Sequence, residues 1–107
     1  MLTFSGNARI FLHQNPTDMR KSFEGLSVSV QETFPNLLMS GSYFVFLNTR
    51  RDYMKVLYWD ADGFAIWCKR LEKGSFSRKN SQILDRKQFL MLLEGIIPKR
   101  LQKRYQN

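Results

Sequence analysis

The sequence predicts an α+β fold, a small single domain with a central antiparallel β-meander, one helix before it and one after it. Three observations predict it. Between residues 43 and 70 the runs YFVFLN, MKVLYWD and GFAIWCKRL are dense in aromatic and β-branched residues and are separated by turn-forming segments. Ahead of them, Met19, Phe23, Leu26, Val30 and Phe34 recur at helical spacing. Behind them, ILDRKQFLMLLEGII joins a helix-start signature to a second apolar stripe.

Taken in order, residues 9–13, RIFLH, read as a first short strand. In NPTD, at 15–18, Pro16 disfavours helix in the residue before it, and Thr17 or Asp18 can cap free amides, so a helix is expected to begin near residue 18. Its apolar stripe is a core face. Gly25 lies inside that stripe and weakens the helix by about 1 kcal/mol relative to alanine, which points either to close packing against a strand or to a tolerated weakness. The helical pattern breaks at PNLLMSGS, 35–42, and the meander follows. Its first turn lies in NTRRDY, 48–53, and its second in DADG, 60–63, where Gly63 can take the positive φ that closes a short hairpin.

Side chains alternate along a strand, so pairing Asn48 with Tyr53 and Asp60 with Phe64 sorts the sheet into two faces. One collects Tyr43, Val45, Leu47, Met54, Val56, Tyr58, Phe64, Ile66 and Cys68. The other collects Phe44, Phe46, Lys55, Leu57, Trp59, Ala65, Trp67 and Lys69. This second face mixes aromatics with lysines, and its tryptophans read as core under a helix rather than as a stacking platform.

After the meander, EKGSFSRKNSQ at 72–82 is polar, basic and turn-like. Asp85 with Gln88 then makes a capping box, and Leu84 with Phe89 a hydrophobic staple. Phe89, Leu92, Leu93 and Ile96 form the face of a short second helix, Gly95 suits its C-terminal cap, and Pro98 resists its continuation. The expected organisation is one domain over 1–97 and a basic C-terminal tail over 98–107, PKRLQKRYQN, with no acidic residue in it.

At 107 residues the chain suits one domain with a modest core. Cys68 is the only cysteine and His13 the only histidine, which rules out an intramolecular disulfide and the usual zinc spacings and fits a reducing compartment. No run approaches the roughly 20 apolar residues of a membrane span, and MLTFSGNARIFLH lacks the layout of a secretory signal. The expectation is a soluble cytoplasmic protein. Seventeen Lys and Arg against nine Asp and Glu give a net charge of +8, which makes polyanions the natural partners.

Catalysis is not expected. Two-metal phosphoryl transfer, the obvious chemistry for a protein drawn to polyanions, needs clustered carboxylates holding two metals about 4 Å apart. Here Asp18 and Asp85 have capping roles, and Asp52, Asp60 and Asp62 have turn roles. Asp60 and Asp62 alone are close in sequence, and their turn needs such residues anyway. Cys68 and His13 lie in separate predicted strands without an orienting partner, so Cys68 reads as a small buried apolar group. No metal or cofactor is expected.

Binding has better candidates. Arg50 and Arg51 occupy one hairpin tip, Lys69, Arg70 and Lys73 the end of the last strand, Arg78 and Lys79 the next loop, and Lys55 the mixed sheet face. Arg20 and Lys21 fall in the expected first turn of the first helix, beside amides that favour anions. Together they predict electrostatic contact with DNA. The alternative is a protein–protein adaptor without direct DNA contact that uses exposed aromatics such as Trp59 or Tyr105.

RIFLH, DMRKSFEGL, YFVFLN, RRDYMKVLYWDADGFAIWCKRLEKGSF and QFLMLLEGI resemble, in order and spacing, the accessory protein of the insertion-sequence-sixty-six family of bacterial mobile elements. WDADGF followed by KRLEKG is the specific part of the likeness, which runs from about residue 3 to 97. The resemblance implies a role in transposition beside a separate catalytic transposase, or other transposition proteins of the same element, in a bacterial cytoplasm. Thr49 stands where the family hairpin often carries another basic residue, and the tail beyond Pro98 lies outside the well-matched region.

Overall fold

A strand buried along its whole length needs cover on both faces of its sheet, and YFVFL meets that condition as β2 (Tyr43–Leu47), with all its residues buried. The structure, a computed structural model, describes residues 8–76, 83–84 and 87–89. Around β2 stand β1 (Ile10–Leu12), α1 (Phe23–Thr33), β3 (Tyr53–Asp60), β4 (Gly63–Arg70) and β5 (Ile83–Leu84), and residues 87–89 are helical.

The expected meander is present: β2, β3 and β4 pair antiparallel in chain order. The sheet is also wider and mixed. β1 lies parallel to β2, with α1 in the crossover between them, and β5 runs antiparallel to β1, giving the order β4-β3-β2-β1-β5. β5 falls where the sequence pattern showed only the approach to a helix, because two residues are too few to display a period.

Two cores result. On one face Phe11, Phe44, Phe46 and Leu57 pack against Leu26, Val30 and Phe34 from α1 and its end. The Phe11 ring lies 4.9 Å from Phe34 and 5.7 Å from Phe44. On the other face Ile10, Leu12, Val45, Leu47, Met54 and Val56 meet Phe76 and Phe89, so the chain after the meander folds back over the sheet. Tyr43 and Tyr58 stack across β2 and β3 at 5.0 Å.

Three expectations are corrected. The helix begins at Phe23, not near residue 18. The Asp18 carboxylate accepts the Arg20 backbone N–H at 2.9 Å and grips the Arg20 guanidinium at 2.6–3.0 Å, while the Asp18 carbonyl accepts the Lys21 N–H at 3.1 Å. These bonds close a turn before the helix, so Arg20 and Lys21 precede it instead of occupying its first turn. Phe23 becomes the first helical residue and is 47% exposed, whereas Leu26, Val30 and Phe34 are buried as expected.

Gly25 does not meet a strand. A Cβ there would sit 3.1 Å from Lys21 Cγ, so what crowds it is the stem of a flexible lysine. Gly25→Ala is expected to raise the thermal midpoint modestly, a gain of about 0.5 kcal/mol, because the helical preference of alanine outweighs a small shift of that stem.

The third correction is the β3–β4 register. Asp60 pairs with Gly63 rather than Phe64, leaving only Ala61 and Asp62 in the loop. The Asp62 N–H donates to the Asp60 carbonyl at 2.6 Å, and Ala61, at φ 59, takes the positive φ expected of Gly63. A one-residue shift exchanges the faces of a strand. Phe64 and Ile66 therefore join the α1 side, where Phe64 meets the Trp59 ring edge-on at 5.0 Å, and Trp67 joins the other side. Cys68 is exposed, not buried, because the last three residues of β4 lie open at the outer strand of the sheet. Ala61→Gly should stabilise the protein by about 1 kcal/mol, since glycine adopts this conformation without the Cβ clash. A chemical denaturation midpoint reads it.

Phe89, half of the expected staple, is helical and fully buried, and Gln88 is helical. Asp85, residues 90–97 over which the sequence predicts the second helix to continue, Arg78, Lys79 and the tail at 98–107 with Tyr105 lie outside the described residues.

Candidate nucleic-acid interface

Asn48 builds the first hairpin. Its side-chain oxygen accepts the N–H groups of Asp52 and Tyr53, each at 3.0 Å, and its amide donates to Asp52 Oδ1 at 2.7 Å. Its backbone N–H donates to the Tyr53 carbonyl at 3.2 Å, the pairing that the sequence predicts. The turn projects Arg50 outward with 85% of its side chain exposed, and its Nε reaches Asp52 Oδ2 only at 4.0 Å. Asn48→Ala removes the side-chain bonds together and should cost about 2 kcal/mol, as roughly 0.5–1.5 kcal/mol attaches to each. Thermal unfolding measures it.

Arg51 has another task. It is half-buried, its φ is 59, its carbonyl accepts the Phe76 N–H at 2.6 Å and its Nε donates to the Phe76 carbonyl at 3.4 Å. It fastens the segment after β4 to the hairpin. Lys55 is likewise internal, 9% exposed, with Nζ donating to the Lys21 carbonyl at 2.7 Å. That bond ties β3 to the approach of α1 and satisfies a buried ammonium.

At the end of β4, Tyr53 pairs with Arg70 and Met54 with Lys69. The Arg70 guanidinium lies over the Tyr53 ring at 4.5 Å, a cation–π contact that restricts the side chain while leaving N–H groups at its edge. Lys69 and Lys73 are exposed. The Leu71 N–H donates to the Asp52 carbonyl at 2.7 Å, which holds the strand end beside the hairpin.

The β1–α1 loop closes the third side. The Thr17 N–H donates to the Leu47 carbonyl at 2.8 Å, and Thr17 is buried. Pro16, Thr17, Asp18 and Met19 face Asn48, Thr49, Arg50, Tyr53 and Arg70 across a groove of about 490 Å³. The bond from the Arg20 side chain, followed by that from its backbone, lowers the Asp18 carboxyl to about 2 from its usual 3.8. Asp18 therefore remains ionised, and the adjacent guanidinium balances its charge.

Strand register thus brings Arg50, Arg51, Lys69, Arg70 and Lys73 to one end of the sheet, Arg20 stands beside it through its bond to Asp18 of the groove, and Asp60 and Asp62 occupy the hairpin tip at the other end. Lys21 turns along the helix, with Nζ 3.3 Å from Ser29 Oγ. Tyr53 and the Pro16–Asp18 loop were not singled out by sequence reasoning. The turn residues Asn48 and Asp52 flanking the Arg50–Arg51 tip were the available signal for Tyr53. Nothing local signals the loop, which reaches the site through its bond to β2. Among the described residues no group of three or more His, Cys, Asp or Glu is placed to hold a metal, and no helix is long and apolar enough to cross a membrane.

A family model described as IS66 Orf2 like protein matches residues 8–103. The chain belongs to that family. As an IS66 Orf2 like protein it carries the matched region past Pro98, farther than the resemblance near residue 97 suggested, and into the basic segment. Two curated relatives, the uncharacterized proteins y4hO and y4jC of Sinorhizobium fredii, are 34% and 33% identical over 76 residues, 71% of this chain in each case. Those residues are 66% and 65% of the relatives, so the chain spans just under two thirds of their length. No solved structure matches the chain.

Proposed function

We propose that this IS66 Orf2 like protein is a non-catalytic accessory factor in transposition that binds DNA electrostatically through the basic end of its sheet, in the bacterial cytoplasm beside a transposase. The observation that supports this reading is the convergence of Arg50 and Arg70 on one groove, with Lys69 and Lys73 at the same end of the sheet and the Asp60–Asp62 tip at the far end. Cations grouped in this way neutralise neighbouring phosphates together and release their condensed counterions. A non-catalytic role is supported by the carboxylates: Asp18 is gripped by Arg20, Asp52 by Asn48, and Asp60 and Asp62 lie at the other end.

Binding to plain duplex DNA at two salt concentrations tests the reading. Affinity should fall steeply as salt rises, roughly one counterion per phosphate contact, and the DNA should stay uncut with magnesium present. A second reading, an adaptor for the transposase without DNA contact, is favoured by Phe23 and Val28, each 47% exposed on α1. Absence of duplex binding at low salt selects it.

A further inference from the structure

We propose that the outer edge of β4 pairs with the β4 edge of a second copy of this chain, joining two sheets about a two-fold axis. The inference is independent of DNA binding. In an antiparallel ladder both backbone groups of a residue point to the same side, and the side alternates along the strand. The Leu71 N–H points to Asp52 of the neighbouring hairpin, and stepping back by twos places Lys69, Trp67, Ala65 and Gly63 toward β3. Phe64, Ile66, Cys68 and Arg70 therefore direct their N–H and C=O groups away from the sheet. Among the described residues no strand lies on that side.

An edge of this length without proline is a template for pairing, and native edges are commonly guarded by charge. Here the cations Lys69 and Arg70 stand only at one end, while Asp62 and Asp60 stand just beyond the other. A two-fold axis perpendicular to the sheet at Ile66 turns that asymmetry into complementarity. It sets Ile66 opposite its own copy and Phe64 opposite Cys68, both through outward-facing backbone groups, and brings the turn residue Asp62 level with Arg70. An axis at Trp67 would set Phe64 against Arg70 and leave Asp62 beyond the paired strands. The half-buried Phe64, Ala65, Ile66 and Trp67 gain cover in the pairing, whereas β2 is already buried throughout.

The full chain should sediment as a dimer at concentrations of tens of micromolar. Asp62→Arg should weaken that dimer at least tenfold, and adding Arg70→Asp should restore it. Oxidised Phe64→Cys should form a covalent dimer with the native Cys68, since a hydrogen-bonded pair brings Cα atoms to about 5.5 Å, within disulfide reach. The same variant with Cys68→Ser should not, because the two copies of residue 64 would stand roughly 13 Å apart. A monomer in sedimentation overturns the proposal, as does a dimer in which Phe64→Cys and Cys68 fail to cross-link.

Discussion

Replacing Arg50 and Arg70 together by alanine is expected to weaken binding to duplex DNA about equally for all sequences and to reduce the salt slope by about 2, one counterion for each lost phosphate contact. The two residues are suited to this test because neither is tied into the fold by a strong bond. Arg50 is mostly exposed, with a single long ion pair to Asp52, and Arg70 rests on the Tyr53 ring at the strand end. Arg51, its neighbour in the sequence, is a poor probe. Its substitution would remove the side-chain bond to the carbonyl of Phe76, a buried residue of the second core, and mix folding with binding. Lys55 shares that defect through its bond to the Lys21 carbonyl. Titrating the double variant at several salt concentrations measures the slope directly, and an unchanged slope would place the DNA contact elsewhere.

Phe44→Ala is expected to have the largest effect on stability, a loss of about 4 kcal/mol, in the range for removing a buried phenylalanine. Phe44 is 1% exposed on the central strand, between the rings of Phe11 at 5.7 Å and Phe34 at 5.9 Å. These three rings join β1, β2 and the end of α1, so the vacancy would fall where the parallel crossover is held together. For a domain of this size each kcal/mol lowers the thermal midpoint by roughly 4–8 °C, so a fall of about 15–30 °C is expected. Phe23→Ala serves as the contrast. Being half exposed, Phe23 should cost less than about 1 kcal/mol, and an equal loss at both positions would contradict the two-layer packing.

Much of the fold was legible because local signals and long-range packing agree in it. The meander follows from three runs of strand formers, and the Asn48–Tyr53 pairing follows from turn chemistry that the Asn48 side chain completes. The core positions Leu26, Val30 and Phe34 follow from helical spacing. Where local signals allow two answers, the wrong one was equally available. DADG closes either with Phe64 paired to Asp60 or with Gly63 paired to Asp60, and the choice decides which face every residue of β4 occupies. Asp18 suits a helix cap, yet Arg20 two residues later offers its carboxylate a stronger partner and delays the helix to Phe23.

The candidate site divides in the same way. A basic composition and clusters of Arg and Lys near turns were visible in the sequence, but a string of cations does not show which are free. Lys55 and Arg51 look like their neighbours in sequence and differ only in distant contacts, with Lys21 and Phe76.

By itself the sequence determined the secondary structure of the meander, the helical stripe ahead of it, the charge excess and the family. These depend on propensity, periodicity and composition, which act over a few residues or sum over all of them. Only the tertiary structure decided the parallel seat of β1, the face of β4, the gathering of cations at one end of the sheet, and the internal roles of Arg51 and Lys55. Those depend on which backbone groups meet across many residues of chain, and a shift of one residue in strand pairing, which composition does not register, moves a side chain from one face to the other.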